Sequence, residues 1–153
     1  MGWAGSSLAR FPDQRATLVA RPDLIPKGVE EILRFEPPAM ALARIVKRDV
    51  TLYDQLVAEG SVMVLVQAAT GRDQRQFPNP DQFDVERRID RHLSFGFGAH
   101  VCMGASLARL EARIALEEML ARFPDWDVEW DKTEIVHTGS AVRGYSKLPI
   151  TFP

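Results

Sequence analysis

One cysteine among 153 residues leaves nothing for Cys102 to pair with, so an internal disulfide is excluded and a reducing compartment fits. Charge of one sign is also lacking. Nineteen Lys and Arg face twenty-one Asp and Glu, and the net charge of -2 leaves no basic footprint for nucleic acid. No apolar run is long enough to span a bilayer. The longest, Val62 to Ala69, is broken by Gln67 and reads as a buried strand. The N-terminus lacks the basic-then-apolar order of a secretory signal. Met1-Gly2 with Ser6 matches a short myristoylation template, but no second anchor accompanies it, so no membrane partner and a cytoplasmic location are expected. What remains is an ordinary globular composition, 46% hydrophobic and 26% charged, sized for a single domain over residues 1–153.

The chain alternates helical and strand-like stretches, without internal repeats. Leu8 to Ala20 reads as helix, with Phe11-Pro12-Asp13 able to break one helix and start the next. Arg21-Pro22-Asp23 forces a turn. Val29, Ile32, Leu33 and Phe35 then give a helix with one buried side, ended by Pro37-Pro38. Ala41–Val46, Val50–Tyr53 and Val62–Ala68 read as short strands with turns at Asp54 and Gly60. Residues 69–90 are polar and rich in Asp, Asn, Pro and Arg, which reads as a long packed or functional loop. Ala105 to Arg122 is the clearest helix, with Leu107, Leu110, Ile114, Met119 and Leu120 as its apolar face. Trp126 to Pro153 reads as hairpins punctuated by Gly139, Gly144 and Pro149.

The chemistry concentrates in Phe95-Gly-Phe-Gly-Ala-His-Val-Cys-Met-Gly104. Its glycines permit backbone angles that other residues resist and let the chain approach a flat ligand closely. Cys102 sits just before a strong helix, whose unpaired N–H groups favour thiolate over thiol, and thiolate binds metal. A buried structural cysteine explains neither the glycines nor the helix start. A Cys102–His100 nucleophile pair is a further competing reading. A zinc site with His100 and His92 or His137 lacks any paired Cys-x-x-Cys or spaced His pair.

This decapeptide resembles the haem-binding signature F-G-x-G-x-[HR]-x-C-x-G of the cytochrome P-450 family, matched by Phe95, Gly96, Gly98, His100, Cys102 and Gly104. The resemblance implies haem b as cofactor, Cys102 as axial thiolate and iron ligand, and Phe95 and Gly96 packing beside it. It also implies an amide of Gly104 directed at the sulfur and His100 at a haem propionate. Glu31 and Arg34, three apart on one helix face, would alone be a surface ion pair of small worth. In Glu-Ile-Leu-Arg they resemble the family's E-x-x-R helix, where the pair is buried and joined by a third basic residue from the loop before the cysteine. Gln82 stands in Pro80-Asp81-Gln82-Phe83 where arginine is common, leaving Arg87 or Arg91 as the candidates. Arg44 resembles the family's strand arginine that pairs with a propionate. Ala39, Met40, Ala41 and Leu42 resemble the lining of an apolar substrate's pocket. Arg109 and Arg113 are read either as a solvated face balanced by Glu111 and Glu117 or as a basic docking surface for an electron donor such as a ferredoxin with its reductase.

The resemblance implies a mainly α fold with small β-sheets, the C-terminal part of the cytochrome P-450 fold. It implies a monooxygenase inserting one atom of O2 into an apolar small molecule, helped by the electron push of the thiolate. The family's central distal helix and its N-terminal part have no counterpart here. The sequence is therefore expected to be a piece of a soluble bacterial-type enzyme or, alternatively, a non-catalytic haem-binding remnant.

Overall fold

The computed structural model of the chain describes residues 1–138 and 141–153. Helix α1 (Gly2–Arg10) begins six residues before the expected start, and α2 (Pro12–Ala20) follows it. Phe11 separates them with non-helical backbone, its amide closing α1 on Ser7 O at 3.0 Å while Pro12 opens α2, where its missing N–H costs nothing. A short 3-10 turn at Pro22–Leu24 leads into α3 (Ile25–Phe35), which stops at Glu36 before the double proline. Ile25, Val29 and Ile32 face the core, as the sequence pattern requires.

The strands form four antiparallel pairs among the described residues. β1 (Leu42–Ile45) pairs with β4 (Val62–Leu65), and between them β2 (Val50–Leu52) folds back on β3 (Gln55–Val57). Tyr53 and Asp54 make that turn at φ 50° and 63°, a left-handed pair suited to a tight hairpin. β3 has no strong strand signal of its own and was not expected. The strand expected to reach Ala68 ends at Leu65, because Gln67–Thr70 coils into the one-turn α4. α5 (Ala105–Arg122) has the bounds the sequence predicts. Beyond it, β5 (Asp127–Val128) pairs with β8 (Ile150–Thr151), and β6 (Glu134–Thr138) with β7 (Val142–Lys147). Gly139, expected as a turn residue, lies outside the described residues.

One core joins these parts. Leu8 and Leu18 from the first two helices meet Ile25 and Val29 of α3, Leu116 and Leu120 of α5, and Trp126. The 69–90 segment is packed rather than solvated. Phe83 stacks on Phe11 at 4.9 Å between ring centroids and meets Phe35 edge-on at 5.3 Å, and Val85 is fully buried. The apolar face expected for α5 needs correction. Leu107, Leu110 and Ile114 are exposed at 58%, 49% and 48%, while Leu116 and Leu120 are buried with Ala112 and Met119 against the core. Apolar residues occupy two sides of this helix, and only one side is covered by α2 and α3.

Candidate functional site

Three layers hold the cysteine loop, and the lowest is the α3 clamp. Glu31 and Arg34 are both fully buried, not a surface pair. Arg34 Nε donates to Glu31 Oε2 at 2.7 Å and Nη2 to Oε1 at 2.8 Å. Its remaining N–H groups donate to the carbonyls of Gly71, Pro80 (2.8 Å) and Gln82 (3.2 Å), so all five guanidinium donors have acceptors. Glu31 Oε1 also accepts the Asp84 amide at 2.8 Å and Arg87 Nε at 3.3 Å. Arg87 is therefore the third member. Gln82 contributes only its backbone carbonyl, which Arg87 also binds at 2.9 Å, and Arg91 lies instead over the Phe97 ring at 4.9 Å. The clamp fixes residues 71–87 on α3, and that segment delivers the chain to His92.

The middle layer was missed by the sequence reading. Glu30 accepts Arg109 Nε at 2.6 Å and Nη2 at 2.9 Å, tying α3 to α5, and its Oε2 meets His92 Nε2 at 2.9 Å. The Ser94 amide donates to His92 Nδ1 at 3.2 Å, which leaves Nδ1 the acceptor and puts the ring proton on Nε2, facing Glu30. Burial alone would raise the Glu30 carboxyl. Hydrogen bonds from His92 and Arg109, with the guanidinium charge, outweigh burial and bring its pKa down to about 2. Arg109 then lies over the Phe95 ring at 4.7 Å, and Arg113 pairs with Glu117 at 2.9 Å. Both arginines weighed as docking cations are thus engaged within the chain. The only hint of this layer in the sequence is a second glutamate beside Glu31.

The loop itself forms the top. Gly96 and Gly98 take φ 75° and 74°, the left-handed region that favours glycine. Gly98–His100 make a 3-10 turn, and the Cys102 amide donates back to Phe95 O at 2.8 Å. Cys102 is exposed, and Gly104 caps α5 so closely that a Cβ there would stand 3.9 Å from Sγ. Around the sulfur, Phe97, Val101 and Met103 are also exposed. Phe95 is half-buried beneath, and His100 is exposed at the end of the turn.

The β1–β4 hairpin reaches this loop through Gln67, whose Nε2 donates to Leu93 O at 3.1 Å. Val64, Leu65 and Val66 line a hollow of about 410 Å³ with Leu93, Gly96 and Phe97. Arg44, opposite Met63 in the same hairpin, is exposed and donates only to the neighbouring Ala43 carbonyl at 2.9 Å. Among the described residues it has no carboxylate partner. Ala39 to Leu42 are half-buried and pinned by their backbone: Met40 N donates to Ala141 O at 2.6 Å and Met40 O accepts Ala68 N at 3.0 Å.

The family model described as cytochrome P450 matches residues 18–144, which include the clamp, the arginine strand and the cysteine loop. The chain belongs to the cytochrome P450 family. It is 40% identical over 148 residues to the biotin biosynthesis cytochrome P450 of Bacillus subtilis, covering 95% of this chain and 36% of that protein. It is 40% identical over 154 residues to cytochrome P450 130 of Mycobacterium tuberculosis, covering 100% of this chain and 37% of that one. The crystal structure of P450BioI in complex with hexadec-9Z-enoic acid ligated acyl carrier protein superposes with a TM-score of 0.92 at 38% identity, over 99% of this chain and 39% of that one. The chain spans little more than a third of the length of the relatives it matches. The mainly helical architecture with small sheets is that of part of the cytochrome P450 fold, 39% of the P450BioI chain.

Cytochrome P450 proteins bind haem b, and the residues present here fit it. Among the described residues no group of three His, Cys, Asp or Glu is placed to hold a metal ion. A metal at Cys102 must bring its other donors with it, as a porphyrin does. The exposed sulfur, the left-handed glycines beside it, the apolar Phe97, Val101 and Met103, and a guanidinium without a carboxylate match a thiolate-ligated ring with acidic side arms. No helix among the described residues is long and apolar enough to cross a membrane.

Proposed function

We propose that this chain is the thiolate-bearing part of a haem monooxygenase that inserts one oxygen atom from O2 into an apolar small molecule. The observation that carries the reading is Cys102, exposed at the start of α5 on a loop bent by two left-handed glycines. Haem held by Cys102 would supply oxygen activation, helped by electron density from the thiolate. The chain's own residues bind and orient. The α5 N-terminus favours the ionised sulfur, and the likeness to the family signature assigns the loop amides, Gly104's included, as its donors. Phe95 and Gly96 leave room for the ring to lie close. His100 and the unpaired Arg44 take the propionates, Arg44 as a charge-assisted pair.

Ala39, Met40, Ala41 and Leu42 line the substrate side, and their small or apolar character suits an apolar ligand. The complex of P450BioI with a fatty acyl group carried on a protein agrees with that chemistry in a relative. Electrons come from a ferredoxin-type donor with its reductase, in a cytoplasmic setting. Because Arg109 and Arg113 are already paired with Glu30 and Glu117, these two side chains do not supply free positive charge to such a donor. The test is haem titration of the chain and of Cys102→Ala, followed by the spectrum of each reduced and exposed to carbon monoxide. A red-shifted Soret band lost in the variant supports thiolate ligation, and one that persists in the variant overturns it.

A further inference from the structure

We infer that His92, held between Glu30 and the loop, is a positioning residue for the cysteine: with Arg109 it seats Phe95, whose carbonyl fixes the Cys102 amide. The inference rests on the haem-thiolate reading and adds residues that the family signature F-G-x-G-x-[HR]-x-C-x-G does not contain. The path is short. Glu30 sits in the middle of α3, where the Glu31–Arg34 clamp immobilises the helix. It binds two donors, His92 Nε2 at 2.9 Å and the Arg109 fork at 2.6 and 2.9 Å.

Both donors bear on one ring. Arg109 lies over Phe95 at 4.7 Å, and the His92 ring lies 6.1 Å from it, tilted by 39°. His92 also accepts the Ser94 amide, while Ser94 Oγ donates to Leu33 O at 2.7 Å, so the backbone entering Phe95 is held from two sides. The Phe95 carbonyl accepts the Cys102 amide at 2.8 Å. Every link from α3 to the sulfur-bearing residue is thus a hydrogen bond or a ring contact.

Charge adds a second consequence. With Glu30 ionised, its charge and that of Arg109 offset one another beside Phe95. Neutralising Glu30 leaves the Arg109 cation uncompensated on Phe95. That cation favours the extra negative charge of the reduced state, so the Glu30→Gln chain loaded with haem shifts to a more positive reduction potential.

The decisive measurement is amide hydrogen exchange by NMR on the chain without haem. It compares the Cys102 amide with a distant reference, the Val46 amide bonded to Ser61 O at 2.9 Å. His92→Leu keeps bulk but loses both ring nitrogens. It is expected to lower Cys102 protection by roughly tenfold or more and leave Val46 unchanged. His92→Gln, which restores a donor to Glu30, is expected to recover most of the loss. Unchanged Cys102 protection in folded His92→Leu overturns the inference, as does His92→Gln behaving like His92→Leu. If His92→Leu loses protection throughout, the near-isosteric Glu30→Gln carries the same comparison, and wild-type Cys102 protection there overturns it. Because exchange is read without haem while the carbon monoxide spectrum of Cys102→Ala tests the ligand itself, the two readings can fail separately.

Discussion

Arg34 has no exposed surface and no idle donor, which makes it the least replaceable side chain in the clamp. Lysine brings three donors on a point charge in place of a planar fork of five. Arg34→Lys is expected to cost about 3–5 kcal/mol, the usual penalty for breaking a buried pair, measured by urea unfolding. Gly71 is constrained for a different reason. A Cβ there would stand far inside contact distance of the Arg34 carbonyl oxygen, so Gly71→Ala must push α3 and the loop apart. A loss of about 1–3 kcal/mol or more is expected, seen as a lower unfolding midpoint. The Glu31–Arg34 spacing and the cysteine decapeptide were legible because each is local in sequence. Gly71 was not, since its constraint comes from a carbonyl 37 positions away. The third clamp member was undecided between Arg87 and Arg91 for the same reason, and only the folded loop selects Arg87.

Among the elements, α3 and α5 carry the site, and the brace between them is titratable. The Glu30 carboxyl is lowered to about 2 against burial by His92 and Arg109. A lowered acid contributes stability in full above its unfolded value near 4.5, and that contribution fades as pH falls toward 2. Glu30→Gln is therefore expected to lower stability at pH 7 and to flatten its fall between about pH 4.5 and 2, read from unfolding curves across that range. Helix α5 separates what a sequence pattern can and cannot say. Its ends and helicity were legible, but the buried face was not, because apolar residues on two sides do not reveal which side meets α3. Leu116→Ala is expected to cost about 2–5 kcal/mol, whereas Leu110→Lys, on the exposed side, should change stability by less than about 0.5 kcal/mol. Similarly, β3 went unread because its pairing with β2 is made by the left-handed turn at Tyr53 and Asp54, not by strand propensity.

At the scale of the whole molecule, one loop both carries the exposed cysteine and lines an apolar hollow. The chain spans 36% of the biotin biosynthesis cytochrome P450 and 37% of cytochrome P450 130, leaving nearly two-thirds of such a protein's length outside it. Substrate oxidation by this chain alone with a surrogate reductase is accordingly expected to be negligible, and coupled hydroxylation would contradict that expectation. The central claim is narrower: Cys102 is the axial thiolate. Its most direct test is the Soret band of the haem-loaded chain, reduced and exposed to carbon monoxide, beside that of Cys102→Ala. The account predicts a strongly red-shifted band in the wild type and none in the variant. The same red-shifted band in both, or an unshifted band in a wild-type chain that has bound haem, would contradict it.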